Sequence, residues 1–221
     1  MKKSLLIASA AGALALTASL ASAADYSAPA GPSYVPYISI FAGASLPNDI
    51  NTIRYNSETS QSLDAGYLIG AAFGVSFNDT VRAEIEVSHN HLGANSHSTN
   101  GFVNDGFNSN VSSTYLLGNV WLDWKNGSAF TPYIGGGVGV AFVNFDQFNA
   151  GGHGYADGNS VLAYQLGAGV NFALSEQLSL DVGYRYKATA NFNVHDGDGS
   201  ADFNNAHLGS HNFQVGLTYK F

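Results

Sequence analysis

Arg82, Glu84 and Glu86 occupy alternate positions of one short run, and Asp181, Arg185 and Lys187 form a similar stripe far downstream, with Asp123 and Lys220 on two further runs. Alternate strand residues share a face, so these are one-sided stripes of mixed charge. Held away from water, opposite charges must pair. Around a wet passage, the same groups would gate or line an ion path. All seven histidines, His89, His91, His97, His153, His195, His207 and His211, fall in or beside polar stretches, with Asp196, Asp198 and Asp202 close by. Imidazoles suit zinc or copper, but no pair has a structural-zinc spacing. The segment Asp196-Gly197-Asp198-Gly199-Ser200-Ala201-Asp202 looks like half a calcium loop, yet its Gly is misplaced and His207 stands where the twelfth-position Glu belongs. No metal or other cofactor is predicted.

The charged residues belong to eight runs of strand composition between Tyr37 and Phe221, most of them alternating with period two. The last is the cleanest: Phe213, Val215, Leu217, Tyr219 and Phe221 oppose Asn212, Gln214, Gly216, Thr218 and Lys220. In the second, Tyr67, Ile69, Ala71, Phe73, Val75 and Phe77 oppose Gly66, Gly70, Ala72, Gly74 and Ser76, with Leu68 out of pattern. Val81, Ala83, Ile85 and Val87 back the first charged stripe, and Leu178, Leu180, Val182, Tyr184 and Tyr186 back the other. The fourth run divides less cleanly, with Leu116, Val120, Leu122 and Trp124 against Leu117, Asn119, Trp121 and Asp123. The fifth sets Ile134, Val138, Val140 and Phe142 against Tyr133, Gly135, Gly137, Gly139 and Ala141. The sixth sets Leu162, Tyr164, Leu166, Val170 and Phe172 against Ala163, Gln165, Gly167, Gly169 and Asn171. In the first run, Tyr37 to Ser45, the facing stays open.

Connections alternate in length. Asn78-Asp79-Thr80, Lys125-Asn126-Gly127-Ser128 and Leu174-Ser175-Glu176-Gln177 read as hairpin turns. The other four connections, about 46–62, 89–111, 144–160 and 188–210, are long and rich in Asn, Ser, Gly, Asp and His. One end of the domain is therefore tight and the other elaborate.

Lys2 and Lys3 precede an apolar run from Leu5 to about Leu20 and the small-residue site Ala21-Ser22-Ala23. This is the pattern of an export signal over residues 1–23. Residues 24–36, with Pro29, Pro32 and Pro36, read as an extended periplasmic leader, and 37–221 as one domain. Removing Lys2 and Lys3 takes the formal charge from −8 to −10, which argues against nucleic acid as a partner. With no cysteine, a disulfide framework is excluded. No segment after the signal matches an apolar transmembrane helix, so any membrane span must use strands.

Alternation does not say which face points outward. Three features favour apolar outside. The opposite face is rich in Gly and Ala, as a narrow lumen requires. That face also carries both signs of charge, which can neutralise one another inside. Aromatics of the apolar face, Phe77, Trp124, Phe172, Tyr186, Tyr219 and Phe221, collect near run ends, where a bilayer has its interfaces. The predicted fold is all-β, an eight-stranded antiparallel transmembrane up-and-down β-barrel. Both termini then lie on the short-turn, periplasmic side, and the long loops face outside.

The stretches Pro132-Tyr133-Ile134-Gly135-Gly136-Gly137-Val138-Gly139-Val140, Leu166-Gly167-Ala168-Gly169-Val170 and Asp181-Val182-Gly183-Tyr184-Arg185-Tyr186, with a final strand ending in Phe221, carry a resemblance. Over about residues 37–221 the chain resembles the OmpA/OmpX-type outer-membrane β-barrels, in particular the alphaproteobacterial surface-antigen branch of the porin family. The resemblance implies a bacterial outer-membrane location among lipid and lipopolysaccharide. It also implies that Tyr219 and Phe221 are read by the barrel-assembly machinery. Some small barrels of this kind modify lipid A with His and Ser, but their His, one residue, Ser, Asn order is absent from Ser88-His89-Asn90-His91 and Ser210-His211-Asn212. A non-enzymatic surface barrel is therefore expected. Arg82, Glu84, Glu86, Asp123, Asp181, Arg185, Lys187 and Lys220 would form its lumen charge network, with Glu86 level with Arg185 and Arg82, Asp123, Asp181 and Lys220 nearer the periplasm. Its loops would bind an extracellular ligand that the sequence does not name. The alternative is a narrow porin-like channel; a loop metal binder or a lipid A-modifying enzyme is less favoured.

Overall fold

The computed structural model describes residues 34–48, 50–54, 57–99, 102–146, 159–195 and 202–221. The export signal and most of the leader expected ahead of residue 34 lie outside the described residues, as does His153. Among the described residues, twelve strands form: β1 (Tyr34–Pro47), β2 (Ile50–Arg54), β3 (Ser57–Leu63), β4 (Gly66–Phe77), β5 (Val81–Thr99), β6 (Phe102–Asp123), β7 (Phe130–Asp146), β8 (Asn159–Ala173), β9 (Leu178–Thr189), β10 (Phe192–His195), β11 (Asp202–Ala206) and β12 (Gly209–Lys220).

Eight of these pair antiparallel in the ring β1-β4-β5-β6-β7-β8-β9-β12, which closes where β12 returns to β1, from Tyr37 opposite Lys220 to Pro47 opposite Ser210. Closure leaves the barrel wall no edge, so its ladder hydrogen bonds are satisfied within the sheet. Hydrocarbon demands this of any strand-built span.

The two faces separate residue by residue. Ile85 is 62% exposed and Glu86 beside it 3%; Val120 is 51% exposed and Trp121 1%. Apolar side chains point out and the charged, polar and glycine face points in. The open facing of β1 is now settled: Tyr37 and Ser45 are buried inside, while Ile38, Ile40 and Leu46 face out. Leu68 proves regular as well, its side chain being fully buried in the lumen. The inner glycines make room for large rings. A Cβ at Gly74 would lie 2.6 Å from Cζ of Tyr37, and one at Gly169 2.6 Å from Cζ of Tyr133. Glycine lets two tyrosine rings lie against the wall of a barrel too narrow for anything between them.

At the tight end, Tyr34 packs edge-on against Phe77, Phe130 against Phe172 and Tyr219 against Phe221, forming an aromatic girdle. The turn between β4 and β5 holds Asn78 at φ 49° and Asp79 at φ 55°. Asn and Asp tolerate this left-handed region better than most residues. Asp79→Ile is expected to lower barrel stability by about 1–2 kcal/mol, read as a shift in the urea midpoint for unfolding from lipid vesicles; an unchanged midpoint refutes it.

Two boundaries differ from the sequence reading. β1 starts at Tyr34, not Tyr37, so Pro36 lies within the strand. There it has a cross-strand partner in Val75, and its carbonyl accepts a hydrogen bond from Phe221 N–H at 3.0 Å. Much of the expected long connections is also strand. β5 and β6 run on together to Thr99 and Phe102 with one register shift near Ala94, while β2–β3 and β10–β11 form hairpins joined to them through β3–β5 and β2–β11 pairing. Outside a bilayer a ladder needs no apolar face, so alternating hydrophobicity could not reveal these extensions.

Candidate functional site

The inward faces of the eight strands converge on a charged lumen, built in layers. Lowest is Arg82 on β5, whose Nε donates to Asp123 Oδ2 at 2.8 Å and whose Nη2 donates to Oδ1 at 2.9 Å. Both groups are buried, and two parallel bonds give the pair the fork geometry that suits guanidinium to carboxylate. The Arg82 guanidinium also lies 4.8 Å from the centroid of the Tyr133 ring. The Asn171 amide bridges this layer to the next, its nitrogen 3.2 Å from Asp181 and its oxygen 3.3 Å from Arg82. Lys220, on β12, is only half-buried, at the tight end of the lumen.

The middle layer joins Glu84, Trp121, Tyr133, Asp181 and Arg185. Glu84 accepts hydrogen bonds from Tyr37 Oη at 2.6 Å, Trp121 Nε1 at 2.8 Å and Asn119 Nδ2 at 3.0 Å. Arg185 spans the lumen, its guanidinium 4.1 Å from the Trp121 ring centroid, donating from Nη2 to the Tyr133 hydroxyl at 2.8 Å. Tyr133 Oη, Arg185 Nη1 and Asp181 Oδ1 gather over Gly183, which sets the acid beside Arg185. Between these groups, Gln214 and Thr218 lies a cavity of about 20 Å³, room for about one water.

Above it, Lys187 makes an ion pair with Glu86 and donates to Ser88 Oγ at 2.6 Å. Glu86 also accepts from Gln165 Nε2 at 2.7 Å and Asn119 Nδ2 at 2.9 Å. Higher still, Asn90 Nδ2 donates to Ser45, Ser210 and Asn212. The outer end on the β5–β8 side is apolar: Leu92, Val111, Tyr115, Leu117, Ala141, Val143, Val161, Ala163 and Leu208 form one buried cluster. Leu208 is held in place by its N–H to Thr189 Oγ1 at 3.0 Å and its carbonyl to Thr189 N–H at 2.9 Å.

All eight expected charges therefore face one interior, four cations (Arg82, Arg185, Lys187, Lys220) and four anions (Glu84, Glu86, Asp123, Asp181). The arrangement differs in two respects from the expectation. Asp181 stands in the middle layer beside Arg185 rather than with Arg82, Asp123 and Lys220. Glu86 bonds Lys187 rather than Arg185, because Arg185 is taken up by Trp121 and Tyr133. Sequence reasoning passed over Tyr37, Tyr115, Asn119, Trp121, Tyr133 and Gln165 as members of the site. For all but Tyr37 the signal was present, since each has the inward parity of its strand.

The hydroxyl–imidazole neighbours do not form catalytic pairs. Ser88 and Ser210 are buried inside, whereas His89 and His211 belong to the outward face, where they contact Thr114 and Tyr184 across strands. Several histidines assigned to loops are in strands: His89, His91 and His97 in β5, His195 in β10 and His211 in β12. Among the described residues, no three His, Cys, Asp or Glu are grouped to hold a metal ion.

A closed ring with an apolar exterior, aromatic girdle and charge-filled interior defines a transmembrane β-barrel of the bacterial outer-membrane class. The chain belongs to the outer membrane protein beta-barrel domain family, whose model matches residues 11–221. It is 29% identical over 148 residues to an uncharacterized protein of Brucella abortus, covering 57% of this chain and 52% of that one. To the outer membrane protein PagN of Salmonella typhimurium it is 30% identical over 119 residues, 49% of each chain. The chain thus spans about half the length of the curated relatives it matches. Among solved structures, OprG from Pseudomonas aeruginosa superposes with a TM-score of 0.56 at 17% identity, covering 85% of this chain and 96% of that one. Neisserial surface protein A superposes at 0.51 with 18% identity, covering 87% and 100%. These likenesses support the fold.

Proposed function

We propose that this protein is a closed surface scaffold. The barrel anchors it in the outer membrane and supports the envelope, and the strands and loops beyond the wide end meet partners outside the cell by binding rather than by catalysis. One observation carries the reading: Arg185, packed against the edge-to-face pair of Trp121 and Tyr133, fills the lumen at mid-height, with the apolar cluster around Leu117 and Leu208 above it. Ions cross neither layer without breaking buried bonds, and eight strands enclose little more than their own side chains. The signal-like segment over residues 1–23 supports export with cleavage after Ala23. The exposed terminal aromatics Tyr219 and Phe221 suit recognition by the barrel-assembly machinery. Lipopolysaccharide and lipid surround the wall in this reading, and the extracellular ligand is the loops' own. Planar-bilayer recordings test closure. The protein is expected to give no unitary currents, and reproducible currents altered by Arg185→Ala would establish the narrow channel instead.

A further inference from the structure

Every ionised side chain described on the eight barrel strands points inward. Three imidazoles break the apolar monotony of the outer face, all towards the wide end: His89 and His91 on β5, and His211 on β12. Their height is informative. His91 lies ten residues above Val81 at the tight end of its strand, and His211 ten residues above Phe221. At about 3.3 Å per residue and a tilt of about 40°, ten residues climb roughly 25 Å, the height of the apolar band of such barrels. His91 and His211 therefore stand where hydrocarbon gives way to lipid headgroups, and His89, two residues lower on β5, stands about 5 Å beneath them.

Neighbouring strands fix the rings. The Thr114 hydroxyl is 3.0 Å from Nδ1 of His89, and the Tyr184 hydroxyl 2.7 Å from Nδ1 of His211. When the hydroxyl donates to Nδ1, Nε2 carries the hydrogen and is a donor open to an outside acceptor. His91 stacks on Tyr67, ring centroids 5.3 Å apart, and Tyr186 packs on His211 at 5.1 Å. Tyrosines flanking the imidazoles suit the same interfacial depth. The Asp64 carboxylate stands over Gly93, the outward position next above His91, with its N–H on the Gly93 carbonyl. Across the neighbouring strands His89 faces Ile69 and Thr114, and His211 faces Leu46 and Tyr186, none of them an acid.

We infer that His89, His91 and His211 form a belt that hydrogen-bonds the phosphate groups of the outer-leaflet glycolipid. The inference rests on the proposed membrane placement and deepens it by naming the lipid contact; it does not require a closed lumen. The test uses the full chain folded in dodecyl maltoside micelles and selectively labelled on its histidine rings. It is titrated with bisphosphorylated lipid A and, separately, with the same lipid stripped of phosphate. The Nε2 resonances of His89 and His211 are expected to shift saturably with the phosphorylated lipid alone. His89→Phe with His211→Phe is expected to weaken binding by about tenfold, the scale of hydrogen bonds to a charged group. Tyr184→Phe, which frees the His211 ring but spares it, should fall between and serves if the double variant does not fold. Equal shifts with the stripped lipid, no shifts at all, or native affinity in the variants would overturn the belt. Micelle titration reads neither conductance nor cellular placement, so its failure is distinct from failure of the closed scaffold.

Discussion

Lys187→Met is expected to destabilise the barrel by about 3–5 kcal/mol, the largest single effect of any change in the lumen. The ammonium is fully buried, and its removal leaves the Glu86 carboxylate, itself 3% exposed, with only the neutral donors of Gln165 and Asn119. An unpaired buried charge keeps its desolvation cost and loses the attraction that offset it. Replacing both partners, Lys187→Met with Glu86→Leu, should therefore restore most of the stability, because neutral side chains of similar bulk remove both desolvation costs together. Urea titration of vesicle-embedded protein, following the slower-migrating unfolded form on unboiled gels, measures the difference. If the single variant unfolds at the native midpoint, the pair is not buried as described. If the double variant is as weak as the single one, lost packing rather than stranded charge is responsible.

Ile85→Arg should cost about 2–4 kcal/mol, whereas Leu46→Arg should cost no more than about 1 kcal/mol, because the penalty for charge on a lipid face depends on depth. Ile85 lies four residues above the β4–β5 turn, near the middle of the apolar band, and is 62% exposed on the outer face. Leu46, also outward, pairs across to His211 at headgroup height. The contrast separates a lipid-clad wall from a water-clad one, for which an added surface arginine at either position is close to neutral. The same urea series reads both variants. Equal, small effects would remove the basis for a membrane-facing exterior.

The fold was legible to an unusual depth because a barrel strand carries its facing in a period of two. Val215, Leu217 and Tyr219 on one side of β12 and Gln214, Gly216 and Thr218 on the other reveal the wall without any knowledge of neighbours. Where both faces of a strand are apolar, as with Tyr37, Ile38, Ile40 and Phe41, that signal cancels. Only cross-strand pairing then shows that Tyr37 reaches Glu84 inside. The continuations of β5 and β6 beyond the wide end were hidden for a related reason, since polar residues on both faces of a ladder in water look like loop.

The sequence by itself determined that eight short-range alternations had to close into a ring, which face met lipid in seven of them, and that the charged stripes shared the interior. These follow from covalent geometry and from the cost of charge in hydrocarbon, both of which act strand by strand. Only the tertiary structure decided which charge met which. Lys187 rather than Arg185 sits across from Glu86, and Arg185 lies against both Trp121 and Tyr133. The physical reason is stagger: contacts across the lumen depend on the registers summed around all eight strands, a quantity that no single strand's pattern contains. The outward histidines show the same division, since their types are plain in the sequence while their placement near the rim of the apolar band follows from strand length, tilt and register.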